Sequence, residues 1–130
     1  MRQKILSKIT ESINSSQVNL ANINITDDEI KEVMDKIQEI NPDASRFDLD
    51  NNALSDKGAL ILSECLHNFR EVKELSLQFN NIGKEGAIGL FSLKNNFSTL
   101  DIPFHGNRIK SVAEMFEIEK LAQQENSFKP

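Results

Sequence analysis

Residues 74–90 read ELSLQFNNIGKEGAIGL. Leu75 and Leu77 alternate as the inward side chains of a strand do, and Asn80 and Ile82 follow at fixed offsets. Gly83 and Gly86 then open a segment whose apolar residues, Ala87, Leu90, Phe91 and Leu93, have the spacing of one helix face. A strand, a tight bend and a helix thus fit into one short unit. Such a unit cannot bury its apolar face alone and needs copies of itself on either side.

The copies are present. Upstream, Phe47, Leu49, Asn52, Leu54, Gly58, Ala59 and Leu62 repeat the pattern, with a step of 28 residues from Asn52 to Asn80. Downstream, Ile102, Phe104, Asn107 and Ile109 repeat it with a step of 27 from Asn80 to Asn107. Self-similarity at this period marks a stacked-repeat architecture. From Val18 to Leu121 the residues resemble the leucine-rich repeat of the ribonuclease-inhibitor-like subtype, L-x-L-x-x-N-x-L-x-x-x-G-A-x-x-L. Asn52–Leu62 and Asn80–Leu90 carry most of that motif, and two further units are degenerate. The resemblance implies an α/β fold: a right-handed solenoid, a short horseshoe with parallel strands on the concave side, helices on the convex side and a helical cap at each end.

On this reading the chain is one domain. A cap helix occupies 1–16, a degenerate repeat 17–45, full repeats 46–73 and 74–100, a degenerate repeat with its cap helix 101–124, and a tail 125–130. In the first cap, spanning residues 2–14, Ile5, Leu6, Ile9 and Ile13 share a helix face. Thr26 with Glu29, and Ser111 with Glu114, have the spacing of capping boxes. Ser55 is the expected N-cap of the helix between them. Asn41-Pro42 stops the helix before it. The last helix is expected to place Val112, Met115, Phe116, Ile118 and Leu121 inward, with the polar tail beginning near Gln123. Two registers are open to the last strand, from Leu100 or from Ile102, and the Ile102 register preserves the repeat length. Pro103 lacks an amide donor and suits an edge strand.

Composition narrows the function classes. At 130 residues the chain can bury one continuous core. A net charge of −5 argues against nucleic acid, which demands clustered cations, and no basic cluster suggests anionic lipid. The single cysteine, Cys65, fits a reducing, cytoplasmic compartment and reads as a small buried hydrophobe. No apolar run has the length of a signal peptide or a membrane span. Residues 48–59 begin like an EF-hand loop, but Ala53 and Ala59 stand where glycine and glutamate are required. No metal or cofactor is expected. Only His67 and His105 offer a general base, and neither has a serine or cysteine nucleophile beside it, so an enzyme is not expected.

The resemblance assigns Asn52, Asn80 and Asn107 to a structural ladder that satisfies the backbone where each strand ends. It assigns Gly58 and Gly86 to close packing of helix on strand. The outward residues of the concave side are then, repeat by repeat, Arg46, Asp48, Asp50 and Asn51; Glu74, Ser76, Gln78 and Phe79; and Asp101, Pro103, His105 and Gly106. Phe79 either anchors a partner or packs on a neighbouring loop. The implied function is non-catalytic protein binding by a monomer. Chains this short are similar to leucine-rich-repeat effectors that bacteria deliver into host cells, and Glu114–Pro130, with Phe128 near its end, looks like a type IV secretion signal. The alternatives are regulation of an enzyme, with Arg46 or Arg108 as the arginine a GTPase activator needs, and a purely structural repeat protein.

Overall fold

The computed structural model describes residues 1–127, with side chains through residue 124. Five α-helices and three strands alternate along them: α1 (Gln3–Glu11), β1 (Gln17–Asn19), α2 (Ile30–Ile40), β2 (Arg46–Asp48), α3 (Asp56–Leu66), β3 (Glu74–Ser76), α4 (Lys84–Phe91) and α5 (Val112–Ser127), with a 3-10 turn at Ser92–Asn95. The strands form one parallel sheet in the order β1-β2-β3. Val18 registers with Phe47, and Phe47 with Leu75. A fourth rung is reduced to a single bridge, Glu74 to Asp101. It continues the ladder nonetheless: the Leu75, Leu77 and Phe79 amides donate to the Asp101, Pro103 and His105 carbonyls at 2.9, 2.9 and 2.8 Å. The last rung therefore takes the Ile102 register.

The helices α2 to α5 stack in sequence order on one side of the sheet. Alternation puts Val18, Phe47, Leu49, Leu75 and Leu77 between the two layers, where they meet Val33, Ile37, Leu62, Leu66 and Leu90. The Phe47 and Phe69 rings pack edge to face at 5.1 Å. Cys65 lies in this core, and burial pushes its thiol above the ordinary range.

Three asparagines close the strand ends. Asn52 donates to the Leu20 and Leu49 carbonyls and accepts from the Ile25 amide at 2.8 Å. Asn80 bonds to Leu49, Leu77 and Leu54 in the same way, and Asn107 to Leu77, Phe104 and Ile82. Each amide side chain thus ties its own repeat to the preceding one.

Helix starts depart from the sequence reading. Ser55 stands at the N-cap of α3, but its side chain makes no capping bond. The cap comes from the preceding repeat: Asp27 Oδ1 accepts from the Ser55 and Gly58 amides at 2.8 and 3.0 Å, while the Ser55 hydroxyl donates to Asp27 Oδ2. One repeat on, Asp56 Oδ1 accepts from the Gly83 and Gly86 amides at 2.7 and 3.1 Å at the start of α4. A Cβ on Gly58 or Gly86 would stand 2.2 or 2.7 Å from those carboxylates. These glycines make room for a carboxylate from the neighbouring repeat, rather than for strand packing. Glu29 returns to the Thr26 amide at 3.0 Å, but the Thr26 hydroxyl turns to Glu29 itself, so half of that box forms. At α5, Ser111 Oγ accepts from the Glu114 amide at 3.1 Å, and Glu114 reaches Lys110 instead of Ser111.

The two end helices also differ from expectation. α1 ends at Glu11, which leaves Ile13 beyond the helix and 45% exposed. α5 buries Ile118 and Ala122, with Met115 partly covered, so the inward line runs i, i+4 from Ile118 and leaves Val112 and Phe116 74% and 69% exposed. Gln123 to Ser127 are helix rather than tail; Phe128 and the end of the expected secretion signal lie outside the described residues.

Candidate protein-binding face

The ladder sorts the solvent face of the sheet into rows. Backbone pairing lines up Gln17, Arg46, Glu74 and Asp101 in one row, and Asn19, Asp48 and Ser76 with Pro103 in the next. Ala21, Asp50, Gln78 and His105 follow, and Asn22, Asn51, Phe79 and Gly106 close the face. The first repeat therefore contributes Gln17 and Asn19, both exposed, which the sequence reading left out. The signal was available, because Asn19 stands 29 residues before Asp48.

Several expected contact residues are already engaged. Ser76 is only 7% exposed and donates to Asp50 Oδ1 at 2.6 Å. The same oxygen accepts from the Gln78 amide at 2.8 Å, and Gln78 Nε2 lies 3.3 Å from Oδ2. Asp50 is thus a bracket between two repeats. Asp48 accepts from the Asp50 amide at 3.0 Å. Burial raises its carboxyl above the ordinary range, and the Asp50 charge adds to that. Arg46, Glu74, Asp101 and His105 face solvent or are partly exposed.

The closing row has one backbone conformation. Asn22, Asn51, Phe79 and Gly106 have φ of 62°, 54°, 58° and 81°, all left-handed. Asparagine and glycine take that conformation readily; phenylalanine does not, and the cost is about 1–2 kcal/mol. Phe79 is half exposed, its ring edge-on to His105 at 5.7 Å and laid over Gly106, where a Cβ would come within 2.4 Å of it. The ring thus both rests on the next loop and presents its other face to solvent.

Arg108 is not on this face. Its guanidinium donates to the Asn81 carbonyl at 3.1 Å and approaches Asp56 Oδ2 at 3.4 Å, where it backs the cap of α4. His67 sits at the end of α3, Nδ1 2.9 Å from the Ser63 carbonyl and Nε2 3.3 Å from Asn96 Oδ1, outside the sheet rows. Among the described residues no three His, Cys, Asp or Glu side chains converge as a metal site would require, and no helix is long and apolar enough to cross a membrane.

A family model described as Leucine Rich repeat matches residues 71–91, the stretch built around β3 and α4. The match marks one leucine-rich repeat within the chain. Its repeats also superimpose on a solved structure, the leiomodin-1 actin-binding site 2, with a TM-score of 0.70 over 91% of this chain and 70% of that one, at 24% identity. Among curated proteins none matches the chain by sequence. The likeness is one of fold, a small parallel sheet backed by helices.

Proposed function

We propose that the chain is a short right-handed solenoid of ribonuclease-inhibitor-like repeats that binds a protein partner, without catalysis, through the solvent face of its sheet. Phe79 carries the reading. A strained, half-exposed aromatic stands in a row otherwise filled by asparagine and glycine, and strain of this kind persists where it serves a contact. The helical legs of α3 and α4 and the repeat steps of 27–29 residues favour the ribonuclease-inhibitor-like subtype.

The test is capture from eukaryotic lysate, and of purified actin as the partner that the leiomodin-1 likeness puts forward, by wild type beside Phe79→Asn. A partner held by wild type and lost by the variant supports the reading; a partner held equally by both moves the site off the sheet. Regulation of an enzyme remains as a second reading because Arg46 is exposed and makes no ion pair among the described residues, whereas Arg108 is committed to Asp56. Delivery into a host as a bacterial effector is a further refinement, tested by whether residues 114–130 carry a reporter across in a type IV-competent strain.

A further inference from the structure

The sheet face differs from the rest of the molecule in how its charges are balanced. On the helices and loops, most carboxylates meet a cation, as Lys31 with Asp35, Lys36 with Glu39, Lys84 with Glu117, and Arg108 with Asp56, while Glu11, Glu64, Glu85 and Glu119 do not among the described residues. The remaining ion pairs also lie off the strands. On the sheet, Asp48, Asp50, Glu74 and Asp101 occupy three neighbouring rows, and none of them meets a cation among the described residues. Arg46, one strand from Glu74, does not close on it either. The face therefore holds four carboxylates against one arginine, and strands about 4.8 Å apart keep them within reach of one another.

We infer that this face takes a basic protein segment, whose lysine or arginine side chains lie over the Asp48, Glu74 and Asp101 carboxylates and beside the open face of the Phe79 ring. The occupant follows from charge complementarity, which sets both the orientation and the encounter rate of such a complex. The carboxylates are fixed to strands, so aligning them costs little on binding. The raised Asp48 carboxyl fits a position that gains from a nearby cation. A cation over the free ring face adds the aromatic term that an aliphatic residue there would not supply. The inference rests on the sheet-face reading above and adds the chemistry of the partner.

The experiment titrates isotope-labelled protein with two octapeptides, one alternating lysine and leucine, the other glutamate and leucine, and follows the amide signals. The expected result is that the lysine peptide alone shifts amides of residues 46–51, 74–79 and 101–106. Its binding weakens at least about tenfold from low to high salt, where screening shortens to a few ångströms. Glu74→Lys with Asp101→Lys should weaken it by a similar factor. Asp35→Lys with Glu39→Lys, an equal change in net charge on α2, should not, thermal melts reporting that both variants fold. Equal weakening by the two pairs, shifts confined to the helices, or no binding at about 1 mM overturns the inference. If Phe79→Asn still abolishes capture of a lysate partner that high salt does not release, the charge inference alone fails. If capture and shifts both ignore the sheet, the functional reading fails with it.

Discussion

At the scale of single residues, two side chains on the sheet face are held against their own preferences. Phe79 occupies a left-handed slot whose counterparts are Asn22, Asn51 and Gly106. Phe79→Asn removes about 1–2 kcal/mol of backbone strain and loses a half-exposed ring contact of similar size, so unfolding stability should stay level or rise by up to about 1 kcal/mol. Urea denaturation checks this. A loss above about 2 kcal/mol would show that the ring serves the fold rather than a partner. Asp48 is the second. Its carboxyl is raised in the folded chain by burial and then by Asp50, so the folded state binds protons more readily than the unfolded one. By linkage, its ionisation costs stability, and that cost grows as pH rises from the unfolded to the folded value. Asp48→Asn should therefore gain stability at pH about 7, and the gain should fade in urea titrations at pH about 3, below the ordinary aspartate range. The strain at Phe79 was legible in part: the four residues of that row, aligned by repeat, read Asn, Asn, Phe, Gly, and three of them tolerate positive φ. The raised Asp48 carboxyl was not legible, because it depends on how deeply a strand sits between its neighbours.

At the scale of elements, the starts of α3 and α4 are finished by the repeat before each of them. Asp27 caps α3 and Asp56 caps α4, each by accepting two amide protons at the positive end of the helix dipole. Asp56→Ala should cost about 1–2 kcal/mol, near the upper range for a lost cap, because it also leaves Arg108 without its carboxylate. Asp56→Asn keeps an acceptor and should cost less, and thermal melts of the two variants separate these outcomes. Helix existence and order were legible from apolar spacing, since the core line of α3 and α4 repeats at fixed steps. The caps were not. Capping rules are local, and they pointed to Ser55, whereas the acceptor comes from 28 residues upstream. A glycine three residues after each cap position, Gly58 and Gly86, was the available clue that a group from outside the helix fills that space. The inward line of α5 was misread for a related reason. Val112 and Phe116 fit an apolar helix face, but no element among the described residues covers that face.

At the scale of the molecule, sheet and helices are stacked in one dimension, and each repeat packs mainly on its neighbours, with the Arg108–Asp56 pair reaching across two repeats. Stability in such a stack is a sum of unit and interface terms, so where a core residue sits decides how far its loss is felt. Leu62 on α3 and Ile118 on α5 are both fully buried, and truncation of either to alanine should remove about 2–5 kcal/mol locally. Leu62 lies in a repeat with neighbours on both sides, so Leu62→Ala should lower amide exchange protection throughout the chain. Ile118 holds the last helix against α4. Ile118→Ala should selectively expose the Leu75, Leu77 and Phe79 amides, whose acceptors are Asp101, Pro103 and His105 on the final rung. The Leu20 and Asn22 amides, bonded to Asp48 and Asp50 three rungs away, should keep their protection. Hydrogen exchange read amide by amide distinguishes this from a single cooperative unit, in which Ile118→Ala would weaken Leu20 and Phe79 alike. The distinction bears on binding, because Phe79 and His105 face each other across the junction predicted to open first, and a partner seated across Arg46 to Asp101 would close it.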